Sequence, residues 1–554
     1  MSMENEITNL VSAEEMRWCE KNTIERFHMP AAVLMERAAL GTFETVREYW
    51  RKSTGRVLIV AGTGNNGADG IAVGRLLAQA GFEVTFLAAG EREKFSGLLK
   101  SQISIIEAYG FEVITEFPET EYDIIVDALF GIGLSRNLDG IWLLLTEKIN
   151  KSSAFKVSVD MPSGIHTDTG AVMGGAVRAD VTVTFGCCKL GLVLYPGAEY
   201  AGKVVLKEIG ITRAGFLGKL PKVFTQNQTA QLLPIRPKDG NKGTFGKALV
   251  IAGSKEIIGA CLLSAEAAFR IGCGMVKILT PKENRTVLAL KLPEAMLQVY
   301  DTKKELKMQL KESCLWADCI LIGPGCGVGP ETEEKLSFVI EKCEKPLVID
   351  ADGLSQIAEN ESLYHSLKKS VEKTKRPVIL TPHLGEFSRL TGTDVKNIKE
   401  NLLKETEKYA AGSGCIVVCK DTRTVVAASG HSTYLNLSGN CGMASAGCGD
   451  VLAGMIVGLL AQVIKKAGKT CQEKQAAFEA AVAGVYLHGL AGDEACKADI
   501  RNRLENTTSF PTVYEAGREE RTCNIQRYKN EYTLLAEDLI KQFDSLFRTG
   551  PLDL

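Results

Sequence analysis

The chain has no Cys-x-x-Cys pair, no long apolar run and almost no net charge, and each absence excludes a class of function. Its 16 cysteines are scattered, many beside glycines or inside apolar runs, as small buried thiols are. That pattern argues against a zinc site or a disulfide framework and for a reducing, cytoplasmic compartment. The longest nearly apolar run, Val451 to Ile464, falls short of the ~20 residues needed to span a bilayer. The N-terminal stretch MSMENEITNLVSAEEMRW is acidic and amphipathic and lacks the basic and apolar regions of a secretory signal. A formal net charge of −2 supplies no attraction to nucleic acid or to an anionic membrane.

What is present is a long globular chain. At ~150 residues per domain, 554 residues imply two to four domains. The first 50 residues read as helices, with apolar residues three and four apart. Short apolar strands then alternate with helices: RVLIVAG (56–62), FEVTFLAAG, YDIIVDALFG (122–131), FKVSVDMPSG (155–164), VTVTFG and GKVVLKEIG. Such alternation predicts a parallel sheet covered by helices on both faces, with ligands beyond the carboxyl ends of its strands. Asn65, Asn66, Asp69, Asp127, Asp160 and Ser163 fall at those ends. The pattern dissolves around 212–236, the expected domain boundary, and a second alternation follows from KALVIAGS (247–254) to TVVAA. Residues 499–532 are polar and aperiodic, as in a surface insertion before a last helix.

Two constellations carry chemistry. Gly62-Thr63-Gly64-Asn65-Asn66-Gly67 lies between a strand and a helix and satisfies the GxGxxG dinucleotide fingerprint; a tight glycine turn that packs helix on strand would look the same. Asn66, Asp127 and Ser163 would make an oxygen-only cluster suited to a hard cation and not to zinc, unless Asp127 and Asp160 merely cap turns. In the second alternation, Asn440-Cys441-Gly442-Met443-Ala444-Ser445-Ala446-Gly447-Cys448-Gly449-Asp450 runs straight into an apolar helix pattern. Small residues at a helix N-terminus let backbone N–H groups approach an oxyanion. An Asp there can take the proton from a hydroxyl about to be phosphorylated, or can serve as a plain helix cap. His383, in a T-P-H-x-G-E turn, and Lys420, four residues before Thr424 in a hairpin, lie at strand ends; Gly323 and Gly325 flank Pro324. Cys448 reads as a small filler, since no histidine lies near it in sequence.

The segments AEEMRWCEKNTIERFHMPAAVLMERAA, GTGNNGADG, VDALFGIGL and VDMPSGI resemble the epimerase domain of NAD(P)H-hydrate repair enzymes, over about residues 10–215. The resemblance implies that Asn65, Asn66, Gly67, Ala68 and Asp69, the loop Gly131, Ile132, Gly133, Leu134, Ser135, Arg136 and Asn137, and Asp160 contact the hydrated nucleotide. It implies potassium (K+) held by Asn66, Asp127 and Ser163, and interconversion of the R and S epimers, with Asp160 as the acid–base candidate. Ile132 stands where family members often carry Thr. The segments NKGTFGKALVIAGS, GCGMVKI, GPGCGVG, VIDADGL, LTPHLGEFSRL, CKDTRTVVA and the Asp450 turn resemble the dehydratase domain of the same enzymes, a ribokinase-like fold, over about 230–498 and 533–545. Ala260, Gly325, His383 and Asp450 would then contact the hydrated nucleotide. Lys420, Asp421, Thr422, Arg423, Thr424 and Gly449 would contact the adenine nucleotide, with Mg2+ accompanying ADP. Cys448, Asp421 and Asn241 depart from the family's usual Thr or Ser, Gly and His.

The fold implied is α/β in two domains: a Rossmann-like epimerase domain over 1–215, a linker over 216–230, and a ribokinase-like α/β sandwich over 231–554 with 499–532 as an atypical insertion. The implied function is metabolite repair on small-molecule substrates (hydrated NADH or NADPH, with ADP or ATP), by a homo-oligomer with no nucleic-acid or membrane partner. Two other classes stay open: a vitamin- or sugar-type small-molecule kinase fused to a nucleotide-binding domain, which would leave a stable phosphorylated product, and a non-catalytic NAD(H) sensor.

Overall fold

A computed structural model describes residues 9–225, 233–467, 472–506 and 534–543. The chain divides into two compact units, Met1–Asn227 and Gln228–Leu554.

The first unit is built on a seven-stranded parallel sheet. Its order is Val113–Ile114, Glu83–Ala88, Arg56–Ala61, Ile124–Ala128, Phe155–Val159, Val181–Phe185 and Lys203–Lys207. RVLIVA, IIVDA and VTVTF are almost continuously buried, as β-branched strands covered on both faces must be. The chain steps outward from Arg56–Ala61 on one side, then returns to place Ile124–Ala128 on its other side. That reversal opens a crevice at the carboxyl ends of these two strands.

The N-terminal helices are present at Ala13–Glu25 and Ala31–Tyr49. The expectation of helix throughout the first 50 residues fails at Asn9–Val11, a strand antiparallel to Val223–Phe224 and parallel to Cys188–Lys189. A three-residue strand carries no periodicity of its own. Ser12 then starts the first helix through a reciprocal capping box with Glu15, whose second oxygen accepts from Lys222 N at 2.9 Å.

The second unit has seven parallel strands in the order Met296–Tyr300, Met275–Pro281, Lys247–Ile251, Cys319–Ile322, Leu347–Ile349, Val378–Leu380 and Ile416–Cys419, continued by antiparallel Val425–Ala427 and Thr433–Leu435. Its strand order reverses between Lys247–Ile251 and Cys319–Ile322. The helix Cys448–Ala467 is long and apolar enough to cross a membrane, yet most of it is buried inside this unit against Gly259–Arg270 and Gln472–Asn506. The expected insertion is helical at its start: Gln472–Asn506 continues through DIRNRLEN, which holds no Gly or Pro to stop it. The rest of that segment, 507–533, lies outside the described residues. The last helix spans Ala536–Lys541. The described cysteines are free, and all but Cys187 and Cys441 are buried.

Candidate functional sites

In the first unit, the glycine turn sits at the sheet's reversal. A Cβ on Gly62 would stand 2.0 Å from the Leu129 carbonyl oxygen, and one on Gly67 would stand 2.1 Å from that of Gly62. These two glycines are required by packing. Gly64 meets nothing within 4 Å and leaves room for a ligand before the helix Asn65–Gln79. The tight-turn meaning of the GxGxxG pattern therefore holds at Gly62 and Gly67, while the position of Gly64 is open. Asn65 is exposed, Asn66 and Asp69 are half-buried, and Ala68 is a core residue with only backbone to offer.

Asp127 ends its strand fully buried and accepts four hydrogen bonds: Ser158 Oγ at 2.8 Å, Ser163 N at 2.9 Å, Ser163 Oγ at 2.6 Å and Leu129 N at 3.3 Å. Burial pushes its carboxyl above the usual range, and the Ser163 and Ser158 bonds offset part of that. Asn66 Oδ1 faces Gly131, and its buried Nδ2 has no partner among the described residues. In the 131–137 loop, Gly133, Ser135, Arg136 and Asn137 are exposed, Leu134 is buried and Ile132 packs on the core. Arg17 reaches this loop from the first helix and donates to Ile132 O at 2.9 Å.

Asp160 follows the strand Phe155–Val159 with φ 67°, a left-handed conformation that Asp tolerates better than most residues. Lys189 Nζ donates to its Oδ1 at 2.5 Å. Burial, then the charges of Asp160 and Glu20, push the Asp69 carboxyl far up; burial also raises Glu20. Glu20 and Lys189 belong to this cluster and escaped sequence reasoning. The available signal was that Lys189 is the lone charge between Asp180 and Glu199.

In the second unit, Lys420 and His383 lie side by side at parallel strand ends, with Lys420 N donating to Pro382 O at 2.8 Å. Lys420 Nζ donates to Asp350 Oδ1 at 2.8 Å, and Thr381 Oγ1 donates to the same oxygen at 2.7 Å. Burial pulls the Lys420 ammonium down, but Asp350 and Glu386 outweigh it and hold its pKa above the ordinary value. A Cβ on Gly449 would stand 3.3 Å from Lys420 Nζ, which places the ammonium at the start of the helix Cys448–Ala467. Asp450 sits in the first turn of that helix. Burial, then Asp350, push its carboxyl up to about 7, against Lys420. Its backbone carbonyl accepts from Ser264 Oγ at 3.0 Å.

Gly325 packs against Ala260, 2.9 Å from where its Cβ would be, beside the second reversal. The turn Lys420–Thr424 joins two antiparallel strands; Asp421 O accepts from Thr424 Oγ1, Arg423 Nη1 donates to Leu437 O at 3.4 Å, and Thr422 is exposed. The His383 side chain caps the helix Leu384–Thr391, its Nδ1 accepting from Gly385 N at 3.0 Å. Glu386 answers by accepting from His383 N at 2.8 Å, and burial raises its carboxyl to about 7. The structure brings a histidine to Cys448 that sequence distance concealed. His488 hydrogen-bonds the Cys448 backbone, and burial pushes it down to about 4. The Cys448 thiol is itself raised by burial and contacts Ser445 Oγ, so the filler reading fits.

Two parallel α/β units carry carboxylate sites at the carboxyl ends of their strands, at the strand-order reversal in the first and beyond Leu347–Ile349, Val378–Leu380 and Ile416–Cys419 in the second, the arrangement of a two-domain α/β enzyme. Residues 31–191 match the family described as YjeF-related protein N-terminus, and residues 248–509 match NAD(P)H-hydrate dehydratase. The bifunctional NAD(P)H-hydrate repair enzyme Nnr of Thermofilum pendens is 34% identical over 536 residues, covering 93% of this chain and 98% of that protein. Its counterpart in Escherichia coli is 34% identical over 490 residues, covering 87% and 88%. A solved structure titled as the ADP/ATP-dependent NAD(P)H-hydrate dehydratase of Bacillus subtilis, co-crystallised with ATP/Mg2+, covers 57% of this chain and 94% of that one at 27% identity and TM-score 0.40. The chain belongs to the family of bifunctional NAD(P)H-hydrate repair enzymes.

Proposed function

We propose that the first unit interconverts the R and S epimers of hydrated NADH or NADPH, and that the second dehydrates the S epimer using ADP, giving AMP and phosphate. The observation that carries the second assignment is Asp450: a half-buried carboxyl raised to about 7, at a helix start, beside the Asp350–Lys420 pair. There it accepts the proton of the ring hydroxyl as phosphate is transferred to that oxygen. The backbone N–H groups of Ala446, Gly447 and Gly449 would face the developing phosphoryl charge, that of Cys448 being taken by Ser445 O at 3.4 Å. The ring nitrogen's electron pair then expels phosphate with the C–O bond pair, the adjacent ring carbon gives up a proton to the departing phosphate or to water, and the ring double bond returns. Magnesium would neutralise phosphate charge when the nucleotide is bound, and Asp352, whose charge is felt at Asp450, would offer it a carboxylate oxygen.

For the first unit, the buried Asp127 carboxylate with the neutral oxygens of Ser163 and Asn66 is a donor set whose single charge would suit a hard monovalent cation. Potassium there would fix the loops that carry Asn66 and Gly131. Asp160 is the acid–base group of this half. Its Oδ2 lies 3.2 Å, and Asn66 Oδ1 3.1 Å, from where a Cβ on Gly131 would stand. Gly131→Ala therefore pushes a methyl between them. The expected result is a roughly tenfold loss of epimerisation, with stability changed by less than about 1 kcal/mol; a wild-type epimerisation rate in that variant would remove Gly131 from the site.

The assay for the whole assignment starts from mixed epimers of NADH hydrate, with ADP or ATP and magnesium, and follows the near-ultraviolet absorbance of the restored ring. Full recovery, faster than spontaneous epimerisation, is expected, with ADP the better donor. Recovery stopping near one half assigns no epimerase activity to the first unit. A stable phosphorylated product in place of recovery would make the second unit a small-molecule kinase.

A further inference from the structure

Lys189 is among the most deeply buried charges in the described residues, its side chain 1% exposed. An ammonium in that position is tolerated only when all its donors are matched. They are: Nζ donates to Asp160 Oδ1 at 2.5 Å, to Thr184 Oγ1 at 2.9 Å and to Phe185 O at 2.9 Å. With three donors and three acceptors, no N–H is left for a substrate. Lys189 is thus not a proton donor to the hydrated ring.

The consequence falls on Asp160. Its Oδ1 is held by Lys189 and also receives Thr184 Oγ1 at 3.3 Å, while its Oδ2 takes no hydrogen bond among the described residues and faces Gly131. The backbone of Asp160 is left-handed, a conformation kept only where the surroundings over-determine it. Lys189 itself is pinned by the strand Cys188–Lys189, paired to Val11 across the short sheet. The carboxylate is therefore clamped from one side and open on the other.

We propose that Lys189 is a positioning residue of the epimerase: it fixes Asp160 through Oδ1, so that Oδ2 alone carries the proton of the reaction. This rests on Asp160 being the acid–base group. In the step, Oδ2 takes the proton of the hydroxyl on the hydrated carbon. The bond from that carbon to the ring nitrogen breaks, its electron pair goes to nitrogen, and the carbon becomes a carbonyl. Asp160 returns the same proton to nitrogen. Closure on the opposite face of the carbonyl reverses each transfer and gives the other epimer. No oxidant, reductant or net proton is needed.

The test uses the full chain without ADP, so that the dehydratase is silent, and follows epimer interconversion by NMR. Asp160→Asn should lower kcat at least about a hundredfold. Lys189→Met should lower kcat about ten- to a hundredfold while KM stays within about twofold, because the freed carboxylate still sits in the site but not in one geometry. The double variant should be no slower than Asp160→Asn alone, which independent structural damage would not produce. Wild-type kcat in Lys189→Met beside an inactive Asp160→Asn overturns the role of Lys189 and leaves that of Asp160. An active Asp160→Asn overturns the reading underneath. Should Met at 189 not fold, Thr184→Val serves: it removes one acceptor and keeps the charge. A severalfold loss of kcat at constant KM supports the clamp, and unchanged kcat overturns it.

Discussion

Asp450→Asn is expected to reduce dehydration by about 10³- to 10⁴-fold while leaving epimerisation at its wild-type rate, in keeping with the loss of a general base. The substitution keeps shape, exchanges one acceptor oxygen for an amide donor, and removes the charge and the ability to take a proton. Because the Asp450 backbone carbonyl, not its side chain, is held by Ser264, the helix start should survive, and the melting temperature should stay close to that of the unaltered chain. The pH profile is the companion measurement. Burial and Asp350 raise the carboxyl to about 7, so it is neutral and inactive below that pH and becomes a base above it. The dehydratase kcat/KM should rise with pH through about 7 and then level off, and Asp450→Asn should abolish that rise along with the rate. Dehydration retained in the Asn variant would mean another group takes the proton, and Glu386, also near 7, would be the next candidate.

The parts of these sites legible in sequence are those whose chemistry is local. The Asp450 turn announces itself because four small residues precede one carboxylate and an apolar helix. The strand ends at Asp127 and Asp160 follow from β-branched runs that stop at polar residues. Partnerships across the sheet were not legible. Asp350 lies in VIDADGL, but nothing local says that its carboxylate meets Lys420, 70 positions away, because parallel pairing brings strand ends together only after register is set. Lys189 is worse placed still: it stands in a two-residue strand whose partner at Val11 falls in a stretch with helical apolar spacing. His488 reaches Cys448 only because two long helices pack together. The edge strand Met296–Tyr300 hid for another reason, being half-exposed and lacking the buried apolar run that marked its neighbours.

Lys420→Met should cost the second unit activity and stability at once. Asp350 is 1% exposed and Lys420 18%, so the pair is effectively buried. Removing one partner of a buried pair leaves an uncompensated charge and costs about 3–5 kcal/mol; Thr381, donating to the same Asp350 oxygen, should keep the loss near the lower end. Loss of the ammonium also removes the cation that opposes the raised Asp450 carboxyl, so any residual dehydration should need a higher pH than in the unaltered chain. The double variant Lys420→Met with Asp350→Asn separates the two effects. With both charges gone, most of the stability should return, as it does when a buried ion pair is removed whole. Dehydration should not return, because the cation beside Gly449, which we propose meets the nucleotide phosphate, is still missing. Denaturant unfolding and the ring-recovery assay on the unaltered chain, Lys420→Met and the double variant read both outcomes. If the double variant recovered dehydration together with stability, Lys420 would be a structural partner of Asp350 and not a contact of the nucleotide.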